Sequence, residues 1–86
     1  MNNKWDAGQA ANITRITIEV SGYRWRVHGA PFGRRWNAHL VELLGSERLD
    51  VPVNRAFLLK MQEAVAKALD LEVDDVKRIT ADLILA

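Results

Sequence analysis

Ile13-Thr14-Arg15-Ile16-Thr17-Ile18-Glu19-Val20-Ser21-Gly22-Tyr23-Arg24-Trp25-Arg26-Val27-His28 is the stretch on which the fold turns. Thr14, Ile16, Ile18 and Val20 alternate with Ile13, Arg15, Thr17 and Glu19. After Ser21-Gly22, Tyr23, Trp25 and Val27 alternate with Arg24, Arg26 and His28. Period two on both sides of a two-residue turn marks a β-hairpin. Gly22 supplies the positive φ that such a turn requires. The turn predicts a register pairing Val20 with Tyr23, Ile18 with Trp25 and Ile16 with Val27. That register also sets Glu19 opposite Arg24 and Thr17 opposite Arg26, so apolar meets apolar and charge meets its opposite. A slip of one residue would spoil both faces at once.

Outward from the hairpin the pattern is less uniform. Residues 1–11 are polar and aperiodic and read as a flexible arm, with Trp5 as an anchor on it or an exposed contact. Gly29-Ala30-Pro31-Phe32-Gly33 reads as a loop. Arg34–Leu44 supports two readings. Trp36, Leu40, Leu43 and Leu44 match helical spacing, with Gly45 as the residue after the helix. Trp36, Ala38 and Leu40 also alternate as a strand would, which would make 36–44 and 47–53 a second hairpin. The helix reading is preferred. Pro52 breaks regular structure in the 46–53 connector. Asn54 caps a second helix at about residues 55–69, with an inward stripe of Phe57, Leu58, Met61, Val65, Ala68 and Leu69. Ile79, Ala81, Leu83 and Leu85 alternate to the end and predict a C-terminal strand. The expected fold is α+β, one domain over residues 12–86 in the order ββααβ. A small antiparallel or mixed sheet would have helices on one face, and Arg15, Thr17, Arg24, Arg26 and His28 on the other.

With 86 residues there is room for one thin core. The chain is 49% hydrophobic and 27% charged, ordinary for a globular protein and against wholesale disorder. The absence of cysteine excludes disulfides, thiolate metal sites and a cysteine nucleophile. It fits a reducing compartment, so a cytoplasmic location is expected. Residues 1–6 lack the apolar core of a signal peptide, and no apolar run reaches membrane-spanning length, so no membrane association is expected.

Catalytic patterns are missing from the sequence. Ser21 and Ser46 lie in no nucleophile-elbow motif, and neither a dinucleotide fingerprint nor a P-loop occurs. His39 and Glu42 stand at i,i+3 on the expected first helix, a weak metal pattern for which a surface histidine is the simpler reading. Asp74-Asp75 lacks the surroundings of a calcium loop. The sequence therefore predicts a non-enzyme with no cofactor and no metal.

Charge is divided unevenly. Residues 1–36 carry a net +4 and residues 37–86 a net −3, and all three tryptophans fall in the first part. Arginine, tryptophan and tyrosine are the residue types enriched at binding hot spots. The sequence thus predicts a protein-binding module, a small regulator or inhibitor of a larger protein. Its partner surface would comprise Trp5, Arg15, Arg24, Arg26, His28, Phe32, Arg34 and Arg35. Trp36 is a further candidate anchor whose alternative is burial. A homodimer through the C-terminal strand is also expected as an option, because that strand would leave an apolar edge.

Nucleic-acid binding is the second reading, because the same arginine stripe could neutralise phosphates. The spacing of Gln62-Glu63, Val65-Ala66, Leu69, Leu71, Val76 and Ile79 resembles the helix-turn-helix core of small repressors. That resemblance implies a recognition helix over 72–79. Asp70 stands where a glycine usually makes the turn, and Glu72, Asp74 and Asp75 would face phosphate. The order ββααβ resembles one form of the K-homology fold, which clamps nucleic acid with a G-x-x-G loop. The matching loop here, Gly45-Ser46-Glu47-Arg48, lacks the second glycine.

Overall fold

A computed structural model describes residues 13–45 and 51–85; the arm at 1–11 with Trp5, and residues 46–50 of the 46–53 connector, lie outside them. The hairpin forms as β1, Thr14–Val20, and β2, Tyr23–Phe32. Its antiparallel register pairs Val20 with Tyr23, Ile18 with Trp25, Ile16 with Val27, Glu19 with Arg24 and Thr17 with Arg26, as the alternation predicts. Ser21 and Gly22 both take positive φ, 57° and 84°, so both central residues are left-handed. This turn geometry matches the right-handed twist of the strands.

Arg35–Leu44 is a strand, β3, and not the helix preferred from the sequence. It pairs antiparallel with β2, and the register shifts between His28 and Gly29: His28 faces Leu40, whereas Gly29 faces Ala38. His39 is the extra residue of a β-bulge, and it changes the strand's phase. Trp36 and Ala38 are buried before it, Val41 after it. The inward residues therefore run 36, 38, 41, a sequence that strict alternation does not fit. Leu40, which the helix reading buried, is 41% exposed.

The long helix α1 spans Arg55–Leu69. The Asn54 side chain accepts a hydrogen bond from the Phe57 backbone N–H at 2.9 Å, which satisfies one orphan donor of the first turn. Phe57, Met61, Val65 and Ala66 are buried along α1, and Leu58 and Leu69 partly so. Ala68 is exposed, in contrast to the expected stripe, because Ala66 sits closer to the centre of the buried face. Asp70 takes φ 59°, and the bonds Leu71 N–H to Ala66 C=O (2.8 Å) and Asp70 N–H to Lys67 C=O (3.3 Å) close the helix in a Schellman motif.

The chain then makes a 3-10 turn at Val73–Asp75 and a two-residue strand β4, Val76–Lys77. β4 runs parallel to β3, pairing Val76 with Trp36. No recognition helix forms over 72–79, so the helix-turn-helix resemblance stops at α1. Arg78, at φ 74°, ends the strand. The expected C-terminal strand is instead a short helix α2, Ala81–Leu85. Leu85 is 69% exposed, while Ile79, Leu83 and Ile84 pack on the core at helical rather than alternate spacing. A dimer through that strand has no strand to use.

The architecture is α+β, a mixed four-stranded sheet in the order β1-β2-β3-β4 with two helices. Three strands precede the long helix, so neither the ββααβ order nor its K-homology resemblance holds. The core joins the inner sheet face to α1. Trp25 (1% exposed) sits at its centre, edge-on to Phe57 with ring centroids 5.5 Å apart. Trp25 Nε1 donates to the Val20 carbonyl at 3.1 Å, so its one polar atom is satisfied. Among the described residues, no helix is long and apolar enough to cross a membrane.

Candidate binding surface

Strand alternation sorts the sheet into two faces. The inner face is core. The outer face is a grid of three cross-strand rows: Arg15, His28 and Leu40; Thr17, Arg26 and Glu42; Glu19, Arg24 and Leu44. Arg15, Thr17, Glu19, Arg24, Arg26, Leu40 and Glu42 are exposed, and His28 is half-buried. The four basic residues expected on one face thus stand together, as the hairpin register requires.

Glu42 joins them, and the sequence reading missed it. A helical 34–44 would have paired Glu42 with His39 one turn away. In the strand, Glu42 lies beside Arg26, and its Oε1 is 2.7 Å from His28 Nε2. A carboxylate only accepts hydrogen bonds, so Nε2 is the donor. The usable signal was the charge match of Glu42 with Arg26, visible only once β3 is read as a strand. Glu42 is 47% exposed on its side chain. A pair this open to solvent contributes about 0–1 kcal/mol to stability.

The outer face is therefore mixed in sign. Arg15, Arg24 and Arg26 alternate with Glu19 and Glu42, and Leu40 gives it an apolar margin. The aromatics of the hairpin are not part of it: Trp25 is core and Tyr23 half-buried on the inner side, edge-on to Trp25.

The remaining candidates gather at the far end of the β2–β3 hairpin. Gly33, at φ 64°, and Arg34 form its turn, and Phe32 faces Arg35 across it. Phe32 is 71% exposed. Phe32, Arg34 and Arg35 line a shallow depression of ≈ 320 Å³ with Asp75. Trp36, the other candidate anchor, is 3% exposed and belongs to the core. Gly29 makes room for it: a Cβ there would lie 2.4 Å from the Trp36 ring and 2.5 Å from the Asn37 carbonyl oxygen. Among the described residues, no group of three or more His, Asp or Glu converges as a metal site. No family model, no curated protein and no solved structure matches this chain.

Proposed function

We propose that this domain is a non-catalytic protein-binding module, a small regulator or inhibitor that engages a larger protein through the outer sheet face and the Phe32 tip. The observation that carries the reading is the alternation of Arg15, Arg24 and Arg26 with Glu19 and Glu42 on one exposed face. A protein surface can match such a pattern charge for charge, which confers specificity. A phosphate backbone would be repelled by the two carboxylates, and among the described residues the face offers bases no aromatic ring to stack on. The exposed Phe32, flanked by Arg34 and Arg35, supplies the apolar anchor with charged rim that binding hot spots favour. The nucleic-acid reading keeps only the arginines in its support.

The test compares wild type with an Arg24→Glu/Arg26→Glu double variant. Both are used as bait in nuclease-treated lysate, with circular dichroism to verify folding. One dominant nuclease-resistant protein, retained by wild type and lost by the folded double variant, is the expected result. Retention undiminished in the folded variant sinks the face as the binding surface. Binding that vanishes with nuclease, and that weakens steeply with salt when reconstituted on duplex DNA or RNA, establishes the nucleic-acid reading instead.

A further inference from the structure

β1 ends the sheet: among the described residues it pairs with β2 on one side and with no strand on the other. The two-residue turn makes Val20 and Tyr23 a hydrogen-bonded pair, and bonding alternates from there. Thr14, Ile16, Ile18 and Val20 thus bond to β2. The N–H and C=O groups of Arg15, Thr17 and Glu19 point away from the sheet. The usual protections of such an edge are a proline, a bulge or charged side chains, lysine above all. β1 has no proline, lysine or bulge, its register with β2 runs unbroken over all seven residues, and its two charges, Arg15 and Glu19, are opposite in sign.

Its sequence is complementary to itself. We propose that β1 is the seam of a homodimer, in which two copies pair β1 to β1, antiparallel about a twofold axis through Thr17. In that register Arg15 faces Glu19 of the second copy, and Glu19 faces its Arg15. Thr17 meets Thr17, Ile16 meets Ile18, and Thr14 meets Val20. The residues with outward backbone groups (Arg15, Thr17 and Glu19) then face one another, so each pair exchanges two main-chain hydrogen bonds. Centring the axis on Ile16 or Ile18 keeps that parity, but it sets a charge against Thr17 and shortens the overlap. A one-residue shift puts outward groups against inward ones and forms no ladder. Backbone bonding, length and charge all select the Thr17 register.

Both faces of the joined sheet agree with it. On the outer face the seam continues the alternation of sign: His28 and Arg15 of one copy are followed by Glu19 and Arg24 of the other. On the inner face, Ile18 is 7% exposed, while Ile16 is only half-buried although it packs on the core. Ile18 of the second copy would cover it, at the close spacing of a non-hydrogen-bonded pair. The symmetry is that of an isologous contact, the commonest among soluble oligomers.

The experiment is sedimentation velocity on the full chain from micromolar to millimolar concentration. A contact of one strand pair is small, so a reversible dimer dissociating in the micromolar range is expected. Arg15→Glu and Glu19→Arg each set like charges together twice in a homodimer. Each should weaken self-association at least tenfold. Mixing the two variants in equal amounts restores opposite charges at both contacts, and dimer should return. Thr17→Pro removes an N–H aimed out of the sheet and none bonded to β2, so it should give a folded monomer by circular dichroism. A wild type that stays monomeric throughout overturns the proposal, leaving the edge to a heterologous strand or to the chain's own residues. Folded single variants that dimerise as wild type does, or a mixture that stays monomeric, overturn the register. None of these readouts involves Arg24 or Arg26, so this proposal and the outer-face reading fail separately.

Discussion

Gly29 and Trp36 form a matched pair. The indole lies where a side chain on residue 29 would stand, and the Asn37 carbonyl oxygen closes the same space from the backbone. A ring can swing aside, but a main-chain oxygen in a paired strand cannot without disturbing the ladder. Gly29→Ala should therefore destabilise by about 1–3 kcal/mol, the usual cost of overfilling a packed site. A urea titration checks this: the midpoint should fall at unchanged slope. An unshifted midpoint would mean that the sheet yields freely there. Trp36 has a cost of its own. Among the described residues its buried Nε1 has no hydrogen-bond acceptor, a loss of about 1–3 kcal/mol for a neutral donor. The ring is thus held by its volume against the sheet rather than by its polar atom, which makes the space that Gly29 leaves essential to it.

Among the elements, the 3-10 turn and β4 are too short to hold themselves in place. Gln62, on α1, fastens both: its Nε2 donates to the carbonyls of Val73 and Val76, each at 2.8 Å. Gln62→Glu removes both donors and sets a negative charge beside two carbonyl oxygens. The expected cost is about 1–3 kcal/mol near neutral pH. The variant's carboxylate is disfavoured in the folded state, so its folded pKa lies above its unfolded one. The penalty is full above the folded pKa, shrinks as pH falls from there toward the unfolded value, about 4.3 for glutamate, and is gone below it. Parallel titrations of wild type and variant at neutral and acidic pH measure it; a deficit independent of pH would show that charge plays no part. Such clamps explain which elements the sequence revealed. The hairpin and α1 were legible because each carries its own period and its own turn or cap, Ser21-Gly22 and Asn54. β3 was not, because one extra residue, His39, made a strand imitate helical spacing. β4 and α2 were not, because their places are set by Gln62 and by packing, contacts remote in sequence. The outer face followed the same division: its β1 and β2 residues were legible, and its β3 residues, Leu40 and Glu42, were not.

For the molecule as a whole, one aromatic contact joins the two legible pieces. Trp25 from the hairpin meets Phe57 from α1, and around them Val27, Met61, Val65 and Val76 are almost wholly enclosed. With so thin a core, hairpin and helix should unfold together. Trp25→Ala should cost about 3–5 kcal/mol, a large part of the about 5–15 kcal/mol that a domain of this kind possesses. In wild type, tertiary signals from the near-ultraviolet and helix signals from the far-ultraviolet should change in one coincident transition. Separate transitions would mean that α1 is stable without the sheet. The bulge at His39 has a further consequence, which concerns the lineage of this chain rather than its stability. Residues 35–38 and 40–44 keep their faces only because one residue between them goes uncounted. Substitutions can accumulate along this strand, but an inserted or deleted residue would turn one of its halves inside out. Length drift among descendants of this sequence should thus be confined to the turns, and the interval from Trp36 to Val41 should stay fixed even where the residues in it change.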